Sequence, residues 1–344
     1  MPRHRSARSV PTLLTGFPRR SCLRRDSLPI VPLDIEPRPA GGPRRGRRPR
    51  VGIALGGGSA RGYAHLGVLA ALERRGVRPD VVVGTSFGAV IGALYAAGGD
   101  LARLRAEAES LRRRDVFPHI LDLGVSRGAL LRGDRLEAYF ERLVEGRHFE
   151  DCTLPLAVVA TDLDSGERVV LRTGPLAPAL RASATLPGLF APVRLDGRRL
   201  IDGGIGTPVP LDTLRGEGVD LAIGVGAGVE VRDSPALRLA RRVLAARPGT
   251  ALRGALVRSG GVGHWGGLAR ALALTVEAWA GAAEALDDGH RLDRGLASDL
   301  HVQTRPPISW LRFDRAAAAI SAGDAAMESA WPRLQGSMEA LLAG

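Results

Sequence analysis

The sequence predicts an α/β fold in which a mainly parallel central sheet lies between layers of helices. Two observations carry this prediction. The first is the apolar run Val51–Leu55, which is followed by a glycine-rich turn and then by apolar residues at helical spacing. The second is a repeat of the same order, from an apolar run at 80–84 through a turn at Ser86 into another helical stretch. Strand–helix–strand units of this kind are nearly always right-handed crossovers with parallel strands.

Each element of this unit has its own signal. Val51–Leu55 is short and apolar throughout, which is typical of a buried strand. The next helix is indicated by apolar residues from Ala64 to Leu72, and Gly76 predicts its end. A second strand is expected at 80–84. The helix after it has small residues on one side, which permit close packing on the sheet: Gly88, Ala89, Gly92, Ala93 and Ala96.

Ser86 lies in the pattern Gly-x-Ser-x-Gly, between Gly84 and Gly88. In a strand–turn–helix context this pattern is typical of a nucleophile elbow, which lifts a serine oxygen clear of the sheet. Taken alone the pentapeptide is also compatible with an ordinary turn. Both turns of the unit open at the carboxyl ends of their strands, where ligands bind in open α/β sheets.

The triple glycine Gly56, Gly57 and Gly58 precedes Ser86 by one helix. Its bare amides can face an anion, as the oxyanion hole of an acyl-transfer site requires. The alternative is a dinucleotide fingerprint, but Arg61 stands where the last glycine of that pattern belongs. An oxidoreductase with a nicotinamide or flavin cofactor therefore stays the weaker alternative.

A serine nucleophile needs an adjacent base. None of the seven histidines lies in a context typical of a triad, and packing is the expected role of His65: His4, His65, His119, His148, His264, His290 and His301. Asp202 is a different candidate, because it ends the apolar stretch Leu200–Ile201 and is followed by Gly203 and Gly204. Burial at a strand end raises the basicity of a carboxylate, although Asp-Gly-Gly is also an ordinary turn. Unless its pKa is strongly raised, a carboxylate base keeps working below pH 6 to 7, where an imidazole becomes protonated.

These motifs, together with Ala64–Leu69, 128–134, Leu156–Asp162 and Ala182–Phe190, resemble the patatin-like phospholipase family, specifically its bacterial single-domain members. The resemblance implies a three-layer α/β/α domain with a serine–aspartate dyad and with neither metal nor cofactor. Ser86 is then the nucleophile and Asp202 its base. The implied supporting residues are the oxyanion loop, the elbow glycines and the turn after the base: Gly56, Gly57, Gly58, Arg61, Gly84, Gly88, Gly203 and Gly204.

The resemblance implies a hydrolase that cleaves a fatty-acyl ester, such as a phospholipid or lysophospholipid, through an acyl-enzyme. Two alternatives stay open: an acyltransferase that uses the same acyl-enzyme, and a non-catalytic regulator that retains the fold. The chain departs from the family at Ser59, where many members have glycine. It also has Thr207-Pro208 after the Asp-Gly-Gly turn, and Gly226 where relatives often have aspartate.

We expect two regions: an arginine- and proline-rich disordered tail at 1–48, and the patatin-like domain at 49–336 with a helical addition at 229–292. The net charge of +12 does not indicate a nucleic-acid partner, because thirteen arginines against three acids in residues 1–50 account for most of it. The tail has three explanations: a basic arm for anionic lipid or nucleic acid, a solvated tail without a role, or sequence upstream of the true start. The second and third are favoured together.

The sequence predicts a cytoplasmic protein. No apolar segment typical of a signal peptide or of a spanning helix is present. Cys22 and Cys152 are far apart, which fits a reducing compartment. The expected partner is the lipid ester substrate. Helices packed beside the sheet are the favoured interpretation of 229–292, and an apolar, arginine-edged surface on a membrane is the alternative. Oligomeric state is not predicted.

Overall fold

The computed structural model describes residues 48–112, 122–126, 129–187, 189–228, 300–309 and 312–343. The predicted tail, apart from Arg48, and the predicted helical addition at 229–292 lie outside the described residues.

Strands and helices alternate along most of the described chain. The strands are β1 (Val51–Leu55), β2 (Val81–Thr85), β3 (Leu123–Ser126), β4 (Ala129–Leu131), β5 (Leu156–Asp162), β6 (Arg168–Leu171), β7 (Val193–Leu195), β8 (Arg198–Asp202), β9 (Leu221–Gly226) and β10 (Leu300–Gln303). The α-helices are α1 (Ala64–Arg74), α2 (Phe87–Ala96), α3 (Leu101–Ser110), α4 (Asp134–Leu143), α5 (Leu176–Ser183), α6 (Leu211–Arg215) and α7 (Ala316–Ala343). Short 3₁₀ turns lie at Ser59–Tyr63, Phe149–Asp151, Gly203–Ile205 and Phe313–Arg315.

The central sheet is mixed but mostly parallel. Its parallel part runs in the order β10-β9-β1-β2-β5, and β6, β7 and β8 add antiparallel pairings beyond it. The predicted unit β1–α1–β2–α2 lies at its centre: β1 has the predicted bounds, β2 is shifted by one residue from 80–84, and α1 ends at Arg74, just before Gly76. The predicted α/β class is therefore confirmed.

Strand β5 is shared by three neighbours. It pairs with β2 over Leu156–Val159, with β6 over Val158–Thr161 and with β8 over Ala160–Asp162. Because β6 overlaps both of the others, β2 and β8 must share the opposite side of β5. β2 and β8 run toward each other along that side, and their last residues pair with the adjacent β5 residues Val159 and Ala160.

The two faces of the sheet bury separate cores. Side chains of successive strand residues point to opposite faces, so Ile53 and Leu55 join one apolar cluster and Ala54 the other. Residues of α1, α2, α5 and α7 belong to the first cluster, whereas α6 supplies the second. The result is a three-layer arrangement of helices, sheet and helix.

Helices α1 and α7 come into close backbone contact at two glycines, one on each helix. A Cβ on Gly67 would lie 2.0 Å from the Ile320 carbonyl oxygen, and one on Gly323 would lie 1.9 Å from that of Ala64. Any side chain at either position would separate the helices. Since α1 follows the glycine loop directly, this crossing holds α7 close behind the loop.

Among the helices that the structure describes, none combines the length and apolar character needed to cross a bilayer.

Candidate active site

Ser86 lies in a strained turn between β2 and α2. Its backbone has φ 54 and ψ −127, in a region that residues with a side chain rarely adopt. The turn is tight because its glycines touch the backbone: a Cβ on Gly84 would lie 2.4 Å from the Ala89 Cα, and one on Gly88 would lie 2.3 Å from the Leu55 carbonyl oxygen. The Gly-x-Ser-x-Gly pattern thus corresponds to a sharp strand-to-helix elbow.

Asp202 approaches Ser86 from the opposite direction. Thr85, the last residue of β2, is level with Val159 of β5, and Asp202, the last residue of β8, is level with Ala160. The strand ends therefore meet on one side of β5. This end-to-end meeting brings together two residues that are 116 positions apart in sequence.

The Ser86 hydroxyl donates a hydrogen bond to Asp202, with 2.7 Å between Oγ and Oδ2. Asp202 is 4% exposed, and its other oxygen, Oδ1, accepts the Gly204 N–H at 2.7 Å. Burial raises the pKa of the Asp202 carboxyl to about 6, while the hydrogen bonds from Ser86 and Gly204 oppose part of that rise. The pair combines a hydroxyl with a carboxylate that is a stronger base than an exposed one.

The two glycines after Asp202 have different surroundings. A Cβ on Gly203 would lie 2.2 Å from the Val159 carbonyl oxygen. On Gly204 it would lie 3.0 Å from Oδ1 of Asp202, the same oxygen that accepts the Gly204 amide. The glycines therefore let the turn press against β5 and fold back on its own carboxylate.

The glycine loop lies against Ser86, since a Cβ on Gly57 would be 3.4 Å from the Ser86 Cβ. Two of its amides are engaged: the N–H of Gly56 donates to the Val225 oxygen at 2.9 Å, and that of Gly57 donates to the Pro208 oxygen at 3.0 Å. Neither the N–H of Gly58 nor that of Ser59 donates to an acceptor within the described ranges. In this conformation the N–H groups of Gly58 and Ser59 are therefore the loop donors that are available to bind an anion.

Ser59 occupies a backbone conformation with φ 51. That region favours glycine, which gives a physical reason why a glycine suits this position.

The Arg61 side chain anchors the glycine loop to a distant segment of the chain. Its Nε donates to the Ile308 carbonyl oxygen at 2.8 Å, and this bond joins the loop to the segment between β10 and α7. The guanidinium thus tethers the loop's backbone to a part of the chain 247 residues away.

His65 supports the glycine loop from within the core. It is fully buried, and its Nε2 lies 2.8 Å from the Gly56 oxygen. Burial lowers the pKa of His65 to about 4, so the ring is neutral, and a carbonyl partner requires the proton on Nε2. His4, His119, His264 and His290 lie outside the described residues.

Several residues that bond to the pair are not among the site residues predicted from sequence. Ser183 bonds the Ser86 amide at 2.8 Å, and the Thr185 carbonyl accepts the Asp202 amide at 2.8 Å. The Thr85 hydroxyl donates to the Thr207 oxygen at 3.1 Å. Ser183 and Thr185 belong to a stretch that carries the family resemblance, but only the fold shows what they contact.

No metal site accompanies this arrangement in the described ranges. Within them, no group of three or more histidine, cysteine, aspartate or glutamate side chains stands close enough to hold an ion.

Residues 53–215 match the family model described as patatin-like phospholipase. An uncharacterized NTE family protein of Mycobacterium tuberculosis (strain H37Rv) is 42% identical over 177 residues, which cover 52% of this chain and 49% of that protein. Human patatin-like phospholipase domain-containing protein 6 is 36% identical over 182 residues, which cover 52% of this chain and 13% of the human one. The chain thus matches about half of the mycobacterial relative's length and a small part of the human protein.

Among solved structures, VipD from Legionella pneumophila superposes with a TM-score of 0.43 at 13% identity, over 85% of this chain and 67% of that one. The type III effector ExoU superposes with a TM-score of 0.35 at 16% identity, over 85% and 54% of the two chains. Likeness at this level carries no argument about function. The sequence match does identify a patatin-like phospholipase domain in this chain, at residues 53–215.

Proposed function

We propose that this protein hydrolyses fatty-acyl esters of lipids, with phospholipids or lysophospholipids as substrates, through an acyl-enzyme on Ser86. One observation carries the proposal: the 2.7 Å hydrogen bond between Ser86 Oγ and the buried Asp202 Oδ2 at the meeting point of β2 and β8. A serine hydroxyl is a weak nucleophile until a neighbouring base takes its proton. Asp202 is within reach of that proton and has a pKa close to neutrality.

In the acylation step, Ser86 Oγ attacks the ester carbonyl while its proton moves to Asp202 Oδ2. The carbonyl oxygen becomes an oxyanion in the tetrahedral intermediate. When the intermediate collapses, the bond to the alcohol breaks, and Asp202 returns the proton to the leaving oxygen. The products of this half-reaction are a free alcohol, such as the lysolipid, and an acyl ester on Ser86.

In the deacylation step, water takes the place of the alcohol. Asp202 accepts a proton from the water as its oxygen attacks the acyl ester. Collapse of the second tetrahedral intermediate breaks the bond to Ser86 Oγ and returns the proton to that oxygen. The fatty acid leaves, and both side chains are restored.

Backbone N–H groups of the glycine loop can stabilise the negative charge of the oxyanion. The N–H of Gly58 and that of Ser59 are the best candidates to donate to the oxyanion, because those of Gly56 and Gly57 already bond to carbonyls. The removal of one such donor typically slows an enzyme by about 10²–10³-fold. His65 and Arg61 hold the loop's backbone and leave these donors free.

The experiment that tests the proposal is covalent labelling with an alkyl fluorophosphonate, followed by location of the modified residue. We expect Ser86 to be labelled, and we expect Ser86→Ala to lose both labelling and ester hydrolysis while it keeps the wild-type circular dichroism spectrum. Asp202→Asn should lower turnover by at least ~10²-fold, as loss of a general base does. Ser110→Ala, which changes an exposed serine on α3, is the matched control.

Products distinguish hydrolysis from the alternatives. Vesicles of a defined phospholipid should release free fatty acid in step with lysolipid. An acyltransferase would instead pass the acyl group to an added alcohol in preference to water. Near-wild-type hydrolysis by Ser86→Ala would contradict the proposal, and an unlabelled, inactive wild-type protein would favour a regulator.

A further inference from the structure

Ser183 is buried beside the nucleophile and bonds in two directions. It is the last residue of α5 and is 0% exposed. Its Oγ accepts the N–H of Ser86 at 2.8 Å and donates to the Val159 carbonyl oxygen at 2.6 Å. Both groups would otherwise be polar atoms without a partner in the interior.

The gap between β2 and β8 explains why a hydroxyl is needed here. In a continuous strand, the next residue of β2 would bond to β5 through its backbone. The chain instead turns sharply at Ser86, and β8 arrives from the other side only at the level of Ala160. The Ser86 amide and the Val159 carbonyl therefore lose their sheet partners, and one hydroxyl satisfies both. Buried backbone groups are almost always paired.

The same segment also holds the base. The Thr185 carbonyl accepts the Asp202 N–H at 2.8 Å, so residues two positions apart bond to the nucleophile and to its partner. Arg181 fixes this segment from behind: its buried guanidinium donates to Thr185 Oγ1, to the Gly133 oxygen at 2.9 Å and to the Ala191 oxygen at 3.0 Å. The end of α5 thus bonds to the backbone amides of both Ser86 and Asp202.

We infer that Ser183 is a positioning residue for the reaction. Its hydroxyl bridges the Ser86 N–H and the Val159 carbonyl in place of the missing hydrogen bond of the sheet, and it thereby fixes Ser86 in the elbow conformation, within reach of Asp202. This inference rests on the proposed function. Catalytic groups must be held to a fraction of an ångström, and a shift of about 1 Å can cost 10²-fold in rate. Ser183 Oγ bonds to the Ser86 N–H and to the Val159 carbonyl, so it acts through the Ser86 backbone and not through the reacting oxygen.

The test compares Ser183→Thr with Ser183→Val, which have nearly the same volume and differ in the hydroxyl. Thr213→Val is the control for the loss of a buried hydroxyl, because Thr213 Oγ1 is buried without a hydrogen-bond partner among the described residues. Ser183→Ala covers the case in which an added methyl group does not fit. Each protein is assayed well below its melting temperature for kcat, for KM and for the rate of fluorophosphonate labelling at Ser86.

We expect Ser183→Val to have a kcat and a labelling rate about 10- to 100-fold below those of Ser183→Thr, with KM within a factor of about three. Ser183→Ala should be slowed like the valine variant, and Thr213→Val should keep the wild-type rates. A wild-type rate in Ser183→Ala would overturn the inference, as would equal rates in the threonine and valine variants when the threonine variant keeps the wild-type melting temperature.

A second measurement keeps the two proposals separate. If the wild-type protein is neither labelled nor active, the proposed function fails on its own. Exchange of the Ser86 amide hydrogen, followed by NMR, then decides the positioning role. Faster exchange in Ser183→Ala than in Thr213→Val supports the role, and an unchanged rate overturns it.

Discussion

Replacement of Asp202 by asparagine should make the protein more stable while it removes activity. Burial raises the pKa of Asp202 from 3.8 to about 6, so this carboxyl group ionises less readily in the folded state than in the unfolded chain. A pKa difference of about two units corresponds to ~3 kcal/mol at a pH above both values. The folded state binds the proton more tightly, so the free energy of unfolding decreases as pH rises from about 4 through about 6.

Asparagine carries no charge and therefore escapes this penalty. Its carbonyl can still accept the Gly204 amide, and its NH₂ can donate to Ser86 Oγ. At pH 8 we expect Asp202→Asn to raise the free energy of unfolding by up to ~3 kcal/mol, which is a rise of roughly 5–10 °C in melting temperature. At pH 4.5 the gain should shrink to about 1 kcal/mol, because the wild-type carboxyl is then largely protonated in the folded state.

Thermal unfolding by circular dichroism at the two pH values measures this effect. Asp212→Asn serves as the control, since Asp212 is an exposed carboxylate and its change should stay within about 0.5 kcal/mol. A lower melting temperature for Asp202→Asn at pH 8, or the same gain at both pH values, would refute the reasoning.

Three further outcomes follow from the structure. The ester-hydrolysis rate kcat/KM should rise with pH through about 6 and level off above it, because Asp202 must be ionised to accept the serine proton; a profile without that inflection would contradict the base assignment. Ser59→Gly should raise the free energy of unfolding by about 1 kcal/mol in urea titrations, since φ 51 is costly for a residue with a side chain; a loss would show that the serine hydroxyl matters more. Gly323→Ala should lower the free energy of unfolding by about 3 kcal/mol or more, because its Cβ would meet the Ala64 oxygen at 1.9 Å, whereas Gly336→Ala, with nothing within 4 Å, should not.

The predicted strand–helix–strand unit was accessible from sequence because its signals are local. Apolar periodicity predicted β1 and α1, and Gly76, which has φ 75, marks the end of that helix as expected. The elbow was likewise visible, because its glycines must sit at fixed offsets from Ser86. Patterns within a few residues of each other need no knowledge of the fold.

The arrangement around Asp202 was not accessible in the same way. Sequence predicted an acid at a strand end, but not that β8 runs antiparallel and meets β2 end to end. The tether from Arg61 to Ile308 and the bonds from residues 183–185 depend on distant segments. Long-range pairing leaves no local periodicity, so these contacts require coordinates.

Burial of Asp202 changes the pH dependence expected for its role as a base. From sequence alone, a carboxylate base is expected to keep working at a pH where a histidine would be protonated, unless its pKa is strongly raised. Burial brings the pKa of Asp202 to about 6, which is close to the ordinary value of ~6.5 for histidine. A pH profile alone therefore separates the two bases poorly, and the Asp202→Asn variant is the sharper test.

Strands β9 and β10 are parallel neighbours, yet 73 residues separate the end of one at Gly226 from the start of the other at Leu300. The chain therefore leaves the sheet at the carboxyl ends of the strands, where Ser86 lies, and re-enters at their amino ends. The closure entropy of a connection between two fixed strand ends changes slowly with its length, by ~0.6 kcal/mol for each doubling. Segments of different length and composition can thus be exchanged between these two strands, so that the rim of the sheet changes while other strands keep Ser86 and Asp202 in place.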